Sequence, residues 1–180
     1  MALSPVRRLV LETLWVLNKP VKATEVAAEV GLGFPSVMMH IIGLVKMGYA
    51  ETVKKGHYVI TEKGRKALGF PEIGKENAQQ ILAYLPLEKA FHFYADIGKP
   101  FGIHAASLGD FCDKILKVDI ASIEFHLNRG DFEAWFAGLG DVELARKTLL
   151  LREQRVAGEQ LRKKLHEIVM NRCEELAKIK

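Results

Sequence analysis

Only two cysteines occur in the 180 residues, Cys112 and Cys173, and neither belongs to a Cys-x-x-Cys pair. That excludes a disulfide-stapled secreted scaffold and makes a reducing cytoplasm the expected compartment. Long apolar runs are also missing, since nothing approaches the roughly 20 residues that a membrane-spanning helix needs. The opening Met-Ala-Leu-Ser-Pro-Val-Arg-Arg lacks the apolar stretch of a secretory leader. His92, His104, His126 and the two cysteines are metal-ligand types, but no two stand at the short interval of a zinc site. A Gly-rich phosphate loop and a nucleophile elbow are absent as well. Neither an enzyme nor a protein carrying a metal or cofactor is expected.

With 49% apolar and 27% charged residues, the chain can bury one good core or two small ones. Its net charge of +4 is unevenly spread: residues 1–70 hold 10 Lys/Arg against 5 Asp/Glu, and residues 71–180 hold 16 against 17. The basic surplus belongs to the N-terminal part alone, which points to a polyanion contact there.

That part parses into short helices and a ribbon. Pro5 suits a first helical turn, and Val6, Leu9, Val10, Thr13, Leu14 and Leu17 share one face of a helix that Asn18-Lys19-Pro20 stops. Thr24 to Val30 forms a second helix closed by Gly31, and Gly33-Phe34-Pro35-Ser36 turns into a third, in which Val37, Ile41, Leu44 and Val45 repeat. Ala50, Thr52 and then Tyr58, Ile60 alternate around a Lys-Lys-Gly-His tip, the pattern of a two-stranded ribbon whose turn needs Gly56. Thr61 caps a fourth helix, Glu62 to Leu68. A lone ribbon is marginal in water and must lean on something else.

Helix, helix, turn, helix and wing, carried by VKATEVAAEVGLGFPSVMMHIIGLVKMGYAE and the YVITEKGRKAL closure, resemble the winged helix-turn-helix of MarR-like archaeal and bacterial transcription regulators over residues 5–69. The resemblance implies double-stranded DNA as partner, a third helix in the major groove and a wing on sugar-phosphate. Lys54, Lys55 and His57 at the tip are then phosphate contacts, with Arg7 and Arg8 extending the footprint. Excluding the apolar stripe leaves Ser36, Met39, His40 and Gly43 outward on the third helix. Base readout normally uses Arg, Lys, Asn or Gln, so this is a weak reading head: either specificity is low, or it comes from DNA shape, or the helix faces protein. The competing reading is a protein-binding module, with the Met-bearing helix as its packing surface.

Beyond a boundary at residues 69–74, residues 71–89 read as a linker with a helix from Glu76 to Leu85 that Pro86 stops. Residues 90–144 form an aromatic-rich segment, with nine of the 15 aromatics between 91 and 136. Such clustering is either a small core or the wall of a sensing pocket. From about Ala90 to Leu144 the chain is similar to a domain that recurs in archaeal proteins and has no settled function, marked by Phe-His-x-x-Arg-Gly-Asp-Phe-x-x-Trp. Helices are expected at Leu108 to Leu116, Ile120 to Leu127 and Phe132 to Phe136, the last capped by Asp131. His126 and Arg129 beside Asp131 form either a structural network or an effector site. Phe101, in a Gly-Lys-Pro-Phe-Gly loop, is expected to line or cover such a pocket.

Residues 145–180 belong to one long amphipathic pattern running from Val142 to Ile179, with Leu144, Leu151, Leu161, Leu165, Ile168, Val169 and Leu176 in a stripe that Gly158 could break. It could cap its own domain, but its length exceeds what a small domain buries, and the favoured expectation is that it pairs two copies. The expectation is thus a mainly α protein: a winged helix-turn-helix with a two-stranded β-wing over residues 1–70, then a helical C-terminal domain ending in a long helix. It would act as a cytoplasmic, homodimeric, weakly specific DNA-binding regulator, with an unidentified small-molecule effector.

Overall fold

The hydroxyl of Ser4 accepts a hydrogen bond from the Arg7 backbone N–H at 3.3 Å, and Pro5 presets the first turn, so helix α1 runs Pro5–Leu17. The computed structural model describes residues 2–180 and divides into two units, one ending at Glu72 and the other Ile73–Lys180. It is mainly helical, with small antiparallel sheets. No single helix among the described residues is long and apolar enough to cross a membrane.

In the first unit, α1 buries Val10, Leu11, Leu14 and Trp15. The expected inward face was rotated: Val6 and Leu9 are 38% and 44% exposed. Trp15 sets the difference, because its ring stacks on Phe70 at 4.5 Å and turns that side of the helix inward. A strand that sequence reasoning missed, β1 (Val21–Lys22), precedes α2 (Ala23–Val30) and α3 (Phe34–Lys46). The ribbon is β2 (Ala50–Lys54) and β3 (His57–Ile60), with Lys55-Gly56 as its turn and Gly56 at φ 74°. β1 pairs with β3, Val21 opposite Tyr58 and Lys22 opposite His57, giving a three-stranded sheet of order β1-β3-β2. That third strand supports a ribbon that two strands alone would leave marginal. Thr61 caps α4 (Glu62–Ala67) through the Gly64 N–H. Only glycine fits at 64, where an added Cβ would stand 2.2 Å from the Tyr49 carbonyl oxygen.

The second unit opens with α5 (Lys75–Leu82), whose Ala78 and Ile81 lie in the core, so residues 71–89 are not simply a linker. After a 3-10 turn at Leu87–Lys89 come β4 (Phe91–Asp96) and β5 (Lys99–Ala105), an antiparallel hairpin in a domain for which only helices and a loop were expected. The alternation is plain in β4, where Phe91 and Phe93 point inward and His92 outward. Helices α6 (Leu108–Ile115), α7 (Ile120–Arg129) and α8 (Asp131–Gly138) follow. Phe111 sits among Phe91, Phe132, Trp135 and Phe136, at ring-centroid distances of 5.2–5.9 Å. Most of the aromatic cluster is therefore packed core.

The long terminal helix is instead two, α9 (Val142–Glu153) and α10 (Gly158–Ala177). Arg155 at φ 54° and Gly158 at φ 64° interrupt the path. Leu161, Leu165, Val169 and Leu176 of α10 are buried in this unit's own core. The stripe expected to pair two copies is occupied within one chain.

Candidate functional site

Two regions concentrate exposed or polar chemistry. The first is α3 with the ribbon beside it. Val37, Ile41 and Leu44 bury one side of α3, and its solvent side carries Phe34, Met39 and Ile42 at 49%, 59% and 44% exposure, with Lys46 at the end. Of the expected outward set, Met39 is in this line. His40 is half-buried, its Nδ1 sealed without a hydrogen-bond partner among the described residues, and Ser36 is also half-buried. The helical turn places Ser36, His40 and Gly43 together along the flank of α3. Arg7 lies against that flank: its guanidinium would be 3.1 Å from a Cβ added at Gly43, and its Nη1 donates to the Met47 sulfur at 3.9 Å. Arg7 is thus a packing cation. Arg8 is exposed but engaged, donating to Glu12 at 3.1 Å and to the Leu68 carbonyl at 3.4 Å.

Lys54 and Lys55 at the ribbon tip are exposed, with no carboxylate partner among the described residues. His57 is half-buried, and its Nδ1 sits 3.1 Å from the Lys55 carbonyl oxygen. A bulge between Thr52 and Lys54 twists the strand near the tip. Concave surfaces of about 350 and 450 Å³ flank the outer line of α3, sharing Phe34 and Met38. The Tyr58 hydroxyl points to the Met38 sulfur at 4.0 Å, joining ribbon and helix.

The second region is a cavity of about 370 Å³ between the β4–β5 turn and the α7–α8 junction. His126 is 4% exposed at its inner end. The Tyr94 backbone N–H donates to His126 Nε2 at 2.8 Å, so Nε2 carries a lone pair and the proton resides on Nδ1. Nδ1 in turn donates to Asp131 Oδ2 at 2.8 Å, an oxygen that Arg129 Nε also reaches at 3.2 Å. Burial pushes the imidazole below its ordinary value; the bond and charge of Asp131 act the other way, and Arg129 adds to the lowering. The Arg129 guanidinium also lies over the Phe125 ring, 5.0 Å from its centroid. Asp131 was expected to cap its helix. Its carboxylate instead serves His126 and Arg129, and Gly130 at φ 76° takes the cap position.

Phe101 does not line this cavity. It lies in strand β5, 40% exposed, and the walls are Phe91, Tyr94, Ile97 and Phe125. Sequence reasoning missed Tyr94 and Phe125 because the hairpin that brings one to the other was not foreseen. It also missed the cluster around Arg172, which grips Asp141 with two bonds of 2.7 and 3.0 Å and lies 3.3 Å from Glu143 and 3.0 Å from Glu175. Burial opposes the Arg172 charge, but the bond and charge of Asp141, with Glu143 and Glu175, hold it above the ordinary value. Cys112 and Cys173, on α6 and α10, are free thiols.

No family model matches the chain, and no solved structure matches it. A stretch of 48 residues is 42% identical to part of an uncharacterized protein, MJ0558, of Methanocaldococcus jannaschii. That stretch is 27% of this chain and spans only 18% of the relative's length.

Proposed function

We propose that the first unit is a winged helix-turn-helix that binds double-stranded DNA weakly and with little sequence discrimination, as part of a transcription regulator. The observation that carries this reading is the ribbon tip, where Lys54 and Lys55 project beside the open side of α3 with no carboxylate partner among the described residues. Ammonium groups so placed suit phosphate contacts, which give affinity and register but carry no base information. The outer line of Phe34, Met39 and Ile42 has apolar atoms for thymine methyl groups and little for base-edge hydrogen bonding, in keeping with low specificity. Pairing of two copies belongs to the proposal, and the exposed Val6, Leu9 and Val16 of α1 are an apolar surface available for it.

The test is salt-dependent fluorescence anisotropy with the full chain and two duplexes of unrelated sequence. The double variant K54A/K55A should weaken both complexes alike and flatten the log-log salt slope by about 0.9 for each phosphate that the lysines neutralise. An unchanged slope removes the wing from the interface. The same apolar line favours a second reading, in which α3 packs against protein. Replacing Met39 with Gln separates the two: DNA affinity should change little, whereas a protein interface centred on this side chain would be disrupted.

A further inference from the structure

We propose that the cavity of about 370 Å³ in the second unit is a receptor for a small organic anion, with the Arg129 guanidinium taking the acidic group and the Phe91, Tyr94 and Phe125 rings taking an apolar body. The guanidinium is already fixed at two places. Its Nε bonds Asp131 at 3.2 Å, and its face rests on Phe125 at 5.0 Å. Those contacts leave the Nη1–Nη2 edge without an intramolecular partner among the described residues. A carboxylate or a phosphate matches that edge with two parallel hydrogen bonds, and because the fork is held beforehand, little side-chain freedom is lost on binding.

Asp131 does not cancel the site. Its Oδ2 is shared by Arg129 Nε and His126 Nδ1, and His126 is itself locked by the Tyr94 N–H at 2.8 Å, so the carboxylate positions the guanidinium. The rim acid, Asp96, has Lys99 at 3.8 Å, and its other oxygen accepts the Ile97 N–H at 2.7 Å. The exposed His92 is turned back to the Leu87 carbonyl at 2.9 Å. Arg129 is thus the cation in the cavity with donors to spare. The volume falls at the small end of ligand sites, which suits a metabolite and not a polymer.

Phenylacetate, phenylphosphate and neutral phenylacetamide titrated into the isotope-labelled full chain test this, with the Arg129 Nε–H and Tyr94 amide signals as readout. Saturable shifts with at least one anion and none with the amide are expected, and the better anion tells carboxylate from phosphate. Arg129→Gln should weaken that binding about tenfold or more, the worth of lost charge-assisted bonds. Arg129→Lys, which keeps the charge without the fork, should fall between. Equal response to phenylacetamide, undiminished binding by folded Arg129→Gln and Arg129→Lys variants, or no saturable shift with either anion would each overturn the proposal.

Discussion

Replacing Arg172 with Met is the most searching perturbation of the second unit. The Arg172 side chain is 5% exposed and faces Asp141, Glu143 and Glu175, whose side chains are 0%, 5% and 26% exposed. Removing the cation leaves three carboxylates around an apolar side chain, two of them out of reach of bulk water. Breaking a buried pair from one side costs about 3–5 kcal/mol, because the remaining charge is uncompensated. For a domain stable by roughly 5–15 kcal/mol, that is about a fifth of the total or more. Trp15 belongs to the first unit and Trp135 to the second, so a Trp15→Phe background lets urea-dependent fluorescence follow the second unit alone. The midpoint should fall while the slope stays constant. Asp141→Asn added to Arg172→Met should recover part of the loss, since Asn still caps α9 through its side-chain oxygen. A loss under about 1 kcal/mol, the scale of a surface pair, would refute the view that this cluster is dry.

Phe132→Ala should cost about 3–5 kcal/mol, as the side chain is fully buried, whereas Phe101→Ala, at 40% exposure, should cost less than about 1 kcal/mol. Comparable losses in urea denaturation would make the β5 position part of the core. His126 sets a pH dependence: its folded-state value is lowered, so the unfolded chain takes up the proton first and stability is lost as pH falls through and below about 6.5. His126→Gln should flatten that arm of the stability profile, and an unchanged slope would assign it to other groups.

Helices with a single buried stripe and a side-chain cap were readable, as at Thr61, whose hydroxyl accepts from the N–H three residues on. The β4–β5 hairpin was harder to see, because its aromatic run also suits a buried helix and only the Phe91-His92-Phe93 alternation separates the two. Gly158 was the one residue that marked a break in the long C-terminal pattern, and the left-handed turn before it was not foreseen. The apolar spacing continues across it, while the interruption rests on a left-handed Arg155, a residue type that gives no warning in sequence. Burial of α10 was likewise hidden: its stripe would look the same against a second copy as against α5, α6, α7 and α9 of its own unit.

The candidate sites divide by the reach of their contacts. His126, Arg129 and Asp131 lie within six residues, and α7 with the Gly130 turn brings them together locally, so the cluster was visible in the sequence. What gives it a cavity is the Tyr94 N–H across 32 residues, a backbone group that no side-chain pattern announces. On α3 the problem was one of angle. Excluding Val37, Ile41 and Leu44 leaves two sides, the open one with Met39 and Ile42 and the flank with Ser36 and His40. Only the Arg7 guanidinium over Gly43 distinguishes them, because it half-covers the flank and leaves the apolar side as the open one. Contacts on that surface are short-ranged and insensitive to salt, while those of Lys54 and Lys55 are electrostatic and screened. The two kinds of partner therefore differ in what sustains the complex: raising salt should dissolve one resting on the ribbon tip and spare one resting on Met39.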